Sequence, residues 1–310
     1  MRRKYLIFFI EIFLFATQDT RAADSFYVDG GSTPAVWVRQ HPDDPRAAEI
    51  ATSIATVPTA RWFGDWSGDI RSAVAALVDK AATVDQTSIL VAYDIPNRDC
   101  AGESAGGASD AAAYRRWIDG FSQGIGKRKA IVIVEPDSVA QIDCLKAADI
   151  RQTRPELLRY AISRLHLNAP AAGIYLDAGN AHWMPAATMA ARLVEAGIGD
   201  AQGFALNVSN FYTTEESVAY AKAVNVALAD QLGHPKAVVI DTSRNGNGSH
   251  GQWCNPAGAK LGEPTHFLSD QILLAWIKVP GNSDGKCGVG SPWRAGLFSP
   301  ELAVRLIDGN

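Results

Sequence analysis

Short runs of β-branched and other apolar residues recur along this chain at intervals of roughly 30 to 40 residues, each separated from the next by a stretch of helical periodicity. The runs Ser88–Tyr93, Ala130–Glu135, Gly173–Asp177, Gly203–Val208 and Ala237–Asp241 read as strands. Between and around them, Asp69 can N-cap a helix whose apolar residues Ile70, Val74, Leu77, Val78 and Ala81 share one face. Further helices are predicted over Asp110–Gly126, Pro155–Leu167 and Pro185–Ala196, after a Thr213/Glu216 capping box, and from Pro300 onward. Strands that alternate with helices in this way build a parallel sheet with right-handed crossovers, so the fold class is α/β. No strand leads into G-x-G-x-x-G or G-x-x-x-x-G-K-[ST], which removes the main support for a dinucleotide or P-loop fold. Polar residues close strand after strand: Tyr93 and Asp94, Glu135, Asp177, Asn207 and Asp241. A ring of polar strand ends favours a TIM-like barrel over an open sheet.

Three segments stand outside the alternation. Residues 1–22 read as a secretory signal peptide: Arg2, Arg3 and Lys4 precede an apolar run from Tyr5 to Ala16, and Thr20-Arg21-Ala22 places small residues for cleavage. Glu11 interrupts a run already shorter than the roughly 20 residues of a membrane span. Residues 23–310 are then expected to form one domain, localised extracellularly or in the periplasm. From Asp24 to Arg61 the pattern is irregular apart from a short helix over Pro45–Ala55, and Asn245–Asp284, rich in Gly, Asn and Pro, reads as a long ordered loop. The leader carries Arg2, Arg3, Lys4 and Arg21 against Glu11 and Asp19, so its removal takes the formal charge from −4 to −6. A mildly acidic chain is a poor partner for nucleic acid or an anionic membrane surface. Export makes disulfides the default state of Cys100, Cys144, Cys254 and Cys287. Three connectivities are possible, and proximity in sequence favours Cys100 with Cys144 and Cys254 with Cys287; without a Cys-x-x-Cys spacing a zinc site is the weaker alternative.

The run Ile131–Ser138, IVIVEPDS, is the first place to look for chemistry, since Pro136 stops the strand and leaves Glu135 and Asp137 at its C-terminal end. Asp99, Asp177 and Asp284 also follow strands or lie in glycine-rich loops. Any one of these acids could simply cap a helix or pair with an arginine. Together with eight tryptophans and no cofactor motif, they point to a carbohydrate hydrolase, in which two carboxyl groups do acid and base work and aromatic faces hold sugar rings.

Five blocks carry a family resemblance: YDIPNRDC (Tyr93–Cys100), IVIVEPDS, YLDAGN (Tyr175–Asn180), DTSRNGNG with QWCNP (Asp241–Pro256) and KVPGNSDG (Lys278–Gly285). In order and spacing they resemble the signature blocks of glycoside hydrolase family 6 cellulases, across nearly the whole chain after the leader. The resemblance implies a single-domain, distorted and incomplete parallel β/α barrel, and inverting hydrolysis of β-1,4-glucan. It implies Asp137 as the general acid, Asp99 as the neighbour that raises its pKa, Arg98 to keep Asp99 ionised, and Tyr93 beneath the reacting sugar. For the base it leaves two options, Asp284 or a water relay through Ser104 to Asp99. Asp177 matches a further acid of the site, and Trp62, Trp183, Trp253, Lys278, Asn207 and Asn210 match substrate contacts. Trp37, Trp66, Trp117, Trp276 and Trp293 are expected to pack in the core, and His41, His166, His234, His250 and His266 have no metal-ligand spacing. Glu135, still on its strand, is expected to support the site from behind.

Two positions depart from the family pattern. Asn180 stands where a histidine is frequent, with His182 two residues on, and Asn282 stands where a glutamate usually partners the lysine at Lys278. The expectation is therefore a secreted, cofactor-free, monomeric endo-β-1,4-glucanase acting on a β-glucan. Endo action follows from length, because Cys100–Cys144 and Cys254–Cys287 leave little chain for the covering loops of a tunnel. The alternatives are an exo-acting cellobiohydrolase, a catalytically silent glucan-binding protein, and a metal-dependent hydrolase holding its ion through Asp99, Asp137 and Asp177.

Overall fold

The computed structural model describes residues 25–290 and 292–310. The signal peptide expected over residues 1–22 lies outside them. Eight strands form one sheet: β1 (Arg61–Phe63), β2 (Ser88–Ala92), β3 (Ala130–Val134), β4 (Ala172–Asp177), β5 (Gly203–Leu206), β6 (Ala237–Asp241), β7 (His266–Ser269) and β8 (Ile272–Ala275). Their order is β1-β2-β3-β4-β5-β6-β8-β7, parallel throughout except for the pair β7 and β8. The helices are α1 (Thr33–Gln40), α2 (Ala47–Ile50, continuing as a π-helix over Ala51–Ala55), α3 (Ile70–Thr83), α4 (Ala111–Ile125), α5 (Ala148–Asn168), α6 (Ala186–Glu195), α7 (Thr214–Leu232) and α8 (Pro300–Asp308). Crossovers through α3 to α7 connect the successive strands from β1 to β6, the sequence-predicted alternation.

The sheet curls until β8 reaches β1. There Ala60 N–H donates to the Trp276 carbonyl at 2.8 Å, and Thr59 and Trp276 form a single parallel bridge. The result is an incomplete barrel with a thinly bonded seam. The central strands β2 and β3 are buried on both faces, and β5 likewise. On β3, Ile131 and Ile133 point into the barrel, while Ala130, Val132 and Val134 pack against the surrounding helices. A fully buried side chain of this kind contributes about 1.5–3 kcal/mol, so these positions set the register of the strand as well as its stability. Phe26 enters the interior cluster beside Thr87, at the strands' N-terminal end, leaving the C-terminal end free for the site.

The structure corrects several expected elements. The stretch Asp24–Arg61 contains α1, with Pro34 in its first turn, as well as the predicted helix near Pro45. The helix expected to start at Pro155 begins at Ala148, with the proline inside it. A proline there removes the N–H that the Arg151 carbonyl would accept, but the turn is held by other means. Arg151 donates to the carbonyls of Leu145 and Lys146. The buried Arg154 donates to those of Ser138, Pro96 and Asn97. The Asn245–Asp284 loop contains β7 and β8, and β1 was hidden in only three residues. Asp69 caps α3 through Ser72 N–H, and the Thr213/Glu216 capping box opens α7, both as expected.

Candidate active site

A cleft of about 1020 Å³ runs across the C-terminal ends of the strands. Beneath it, buried carboxylates at the ends of β3, β4 and β6 collect the N–H groups of neighbouring loops. Glu135, after β3, accepts from Asp94 and Ile95 after β2. Asp177, ending β4, accepts from Asp137 N at 2.9 Å and Gly179 N at 3.0 Å. Asp241, ending β6, accepts from Ser209, Ser243, Ile277 and Lys278. The loops they hold include backbone conformations that side chains disfavour: φ is 50° at Glu135 and 71° at Asp137, and 52° at Asp99 in the loop after β2. Such residues cost of order 1–3 kcal/mol each and persist where surrounding contacts over-determine them.

Asp137 projects into the cleft, half-buried, and its pKa is raised to about 7, first by burial and then by the charge of Asp99. The Tyr93 hydroxyl, 3.5 Å from Asp137 Oδ2, and Lys278 act in the opposite direction. Asp99 Oδ2 accepts from Ser104 N at 2.8 Å, and its Oδ1 accepts from Gln141 Nε2 at 3.2 Å. The backbone N–H of Gln141 in turn donates to the Asp137 carbonyl at 2.7 Å, so one residue spans both acids. Arg154 reinforces the same link, bonding carbonyls beside each acid. The Cys100–Cys144 disulfide ties the chain next to Asp99 to the segment that follows Asp137.

Arg98 does not take the expected position as the partner of Asp99. Its guanidinium pairs with Asp65 at 3.3 Å, donates to the carbonyls of Tyr93 and Ser104, and lies 4.7 Å and 5.0 Å from the ring centroids of Tyr93 and Trp66. It fixes the Tyr93 ring, which also meets Trp62 edge-on at 5.2 Å. Asp177 is buried beneath Asp137, and burial and the Asp137 charge push its pKa well up. Its Oδ2 has no hydrogen-bond partner among the described residues.

Asp284 lies in different electrostatic surroundings. Arg244 Nη1 is 2.8 Å from Oδ2 and Lys278 Nζ 2.9 Å from Oδ1, and Asn255 N–H donates to Oδ2. Burial alone would raise its pKa, but the two cations hold it at about 2. The Cys254–Cys287 disulfide brackets this loop and the one carrying Trp253. Both pairings favoured by sequence proximity are therefore present.

Trp62, Trp183 and Trp253 all line the cleft, as do Lys278, Ser104 and Asn210. Asn207 does not. It is fully buried, its amide donates to the carbonyls of Tyr212 and Asp241, and its Oδ1 accepts from Tyr212 N–H, so it shapes the loop after β5 and presents nothing to a ligand. Trp276 is buried, and Trp37 and Trp117 are partly buried against apolar clusters, as expected. Trp66, expected in the core, is 56% exposed and lines the cleft, and Trp293 is 38% exposed. Sequence reasoning also passed over Gln141, Arg154 and Tyr212. Only Trp66, in a Gly- and Asp-rich stretch, carried a signal that could have placed it at the surface. Among the described residues no group of three or more His, Cys, Asp or Glu is arranged to hold a metal ion.

Serine in place of both Cys100 and Cys144 is expected to lower stability by up to about 4 kcal/mol on the chain-entropy model. Because the bridge adjoins Asp99, kcat should fall as well. Denaturation midpoints measured beside kcat check this, and lost stability with an unchanged kcat would remove the positioning role.

A carboxyl group with a raised pKa, a second carboxylate beside it, and indole faces along an open cleft on a β/α barrel define a glycoside hydrolase. The description "Glycosyl hydrolases family 6" matches residues 17–303, and the chain belongs to that family. It is 50% identical over 295 residues to Endoglucanase 1 of Streptomyces halstedii, covering 95% of this chain and 92% of that one. It is 41% identical over 288 residues to Endoglucanase A of Thermobispora bispora, covering 91% of this chain and 61% of that longer enzyme. Among solved structures, the endoglucanase Cel6 of Mycobacterium tuberculosis, in complex with methyl-cellobiosyl-4-deoxy-4-thio-β-D-cellobioside, matches with a TM-score of 0.85 at 39% identity, covering 93% of this chain and 98% of that one.

Proposed function

We propose that this glycoside hydrolase cleaves internal β-1,4-glucosidic bonds of cellulose or a related β-glucan with inversion, as a secreted monomer that needs no cofactor. The observation that carries the reading is Asp137: a cleft-facing carboxyl whose pKa of about 7 keeps it substantially protonated where most carboxyls are ionised. It protonates the departing glycosidic oxygen while the ring above Tyr93 takes on oxocarbenium character. Water attacks from the opposite face. For the base we favour the water relay by Ser104 to Asp99, because a carboxylate neutralised by Arg244 and Lys278 is a poor proton acceptor, whereas Ser104 and Asp99 both face the cleft and the Ser104 backbone N–H holds the Asp99 carboxylate in place. Asp284 then serves to anchor those two cations.

Endo action is supported by the exposure of the indoles, 38% at Trp183 and 56% at Trp253, which leaves them open to a chain laid in from the side. The names of the relatives at 50% and 41% identity agree. Export is supported by the leader-like residues 1–22 and by the two disulfides. No helix among the described residues is long and apolar enough to cross a membrane.

Incubation with soluble substituted cellulose tests the endo mode: viscosity should fall well before reducing ends accumulate. Proton NMR of fresh product tests the stereochemistry, with the α-anomer expected first. Viscosity that lags behind reducing ends removes the endo assignment, and a β-anomer appearing first removes inversion.

A further inference from the structure

His182 takes no part in the chemistry described above, yet it is held as firmly as a binding residue. The Asn180 Oδ1 accepts its backbone N–H at 3.0 Å, in a turn whose next residue, Trp183, donates to the Asn180 carbonyl. Its ring stacks on Tyr212 with centroids 4.4 Å apart and planes 26° from parallel. Its Nε2 lies 3.1 Å from Oε1 of Glu216. Glu216 cannot swing away freely, since its Oε2 is committed to Thr213 in the capping box of α7. Despite these contacts the His182 side chain remains 54% exposed, and both it and Tyr212 line the cleft.

In the tautomer that carries its proton on Nε2, facing the Glu216 carboxylate, Nδ1 is an acceptor. Among the described residues Nδ1 has no hydrogen-bond partner. Asn180 also lines the cleft, but only 7% of it is exposed and its Oδ1 already accepts in the turn. A side chain fixed in backbone, edge and face, with one free acceptor beside an exposed indole, is organised to meet a polyhydroxylated ring.

We propose that His182, backed by Tyr212 and oriented by Glu216, forms a glucosyl subsite adjoining Trp183, in which Nδ1 accepts a hydrogen bond from a sugar hydroxyl. The subsite rests on the glucan-hydrolase reading. It contributes binding along the chain and nothing to bond cleavage itself. Its effect therefore depends on oligosaccharide length: a short substrate that does not reach it is indifferent, and a longer one gains affinity.

The test compares wild type with His182→Phe, which keeps the stacked ring and loses the acceptor, and His182→Gln, which restores an acceptor, on cello-oligosaccharides of three to six units. His182 is exposed, and thermal melting confirms that each variant folds. His182→Phe should raise KM for the longest substrates about 5- to 10-fold with kcat unchanged, leave the shortest ones unaffected, and shift the cleavage pattern; His182→Gln should recover part of the loss. Unchanged KM at every length, or a loss independent of length, overturns the subsite. Absence of cleavage by the wild type at any length overturns the glucan-hydrolase reading instead.

Discussion

Asp137→Ala is expected to slow hydrolysis of unactivated cello-oligosaccharides by about 10³-fold, within the range general acid catalysis supplies, while leaving KM and the melting temperature nearly unchanged. The side chain faces the cleft, and its carboxylate oxygens serve no other part of the fold beyond a long contact with Tyr93. The decisive comparison is between leaving groups. An aryl glucoside whose phenol departs without protonation should lose far less than cellotetraose, because the missing proton matters only where the departing oxygen needs it. Equal losses on both would falsify the general-acid assignment, and absence of turnover in both wild type and variant would favour a silent binding protein. The wild-type pH profile follows from the same group. The acid works protonated, so with a pKa of about 7 the rate should decline as pH rises through that value.

Asp99→Asn should produce the second large effect, through two separable routes. Removing its charge takes away the second-largest cause of the raised Asp137 pKa, so the alkaline limb of the pH profile should move to lower pH. Burial still raises Asp137, so the limb does not fall to that of an ordinary carboxyl. If Asp99 also receives the proton of the attacking water, kcat should drop by about 10²-fold or more even at the new optimum. Asp99→Ala with azide isolates that second route. Azide needs no base, and attack from the open face would give an α-glycosyl azide with restored turnover. A shifted pH profile without lost kcat, and no azide rescue, would confine Asp99 to tuning its neighbour and return the base to Asp284.

The barrel strands β2 to β6 were legible because each is a compact apolar run bounded by polar residues, and the amphipathic helices between them have one clear face. β1, β7 and β8 were not. Three or four residues carry too little periodicity, and no helix separates β6 from β8 to mark them. Pro155 misled because proline is a good first-turn signal, while the contacts that let α5 extend beyond it, from Arg151 and Arg154, are tertiary. That Asp137, Asp99, Trp183 and Trp253 line one cleft was readable from their identity and position. The site was unreadable where function depends on which way a side chain turns. Nothing in the sequence says that Arg98 faces Asp65, that Asn207 folds inward, or that Trp66 lies against a guanidinium in the cleft.

The seam between β1 and β8 adjoins Trp62 in the cleft. Ala60 and Trp276 share one backbone hydrogen bond there, and the Trp62 indole adds another to the Ile277 carbonyl at 2.8 Å. Trp62 and Tyr93 stand on one bank, Lys278 and Asp284 on the other. Few backbone hydrogen bonds cross this joint, and what closes it besides is side-chain packing of Ile50, Ile54 and Ala303 on Trp276 and the bond from the Thr265 hydroxyl to the Pro58 carbonyl. A glucan lying across both banks therefore does more than occupy a groove. It acts as a splint, supplying from outside the lateral contacts that the barrel lacks, and it stabilises the folded state most at the place where the enzyme most needs to be rigid.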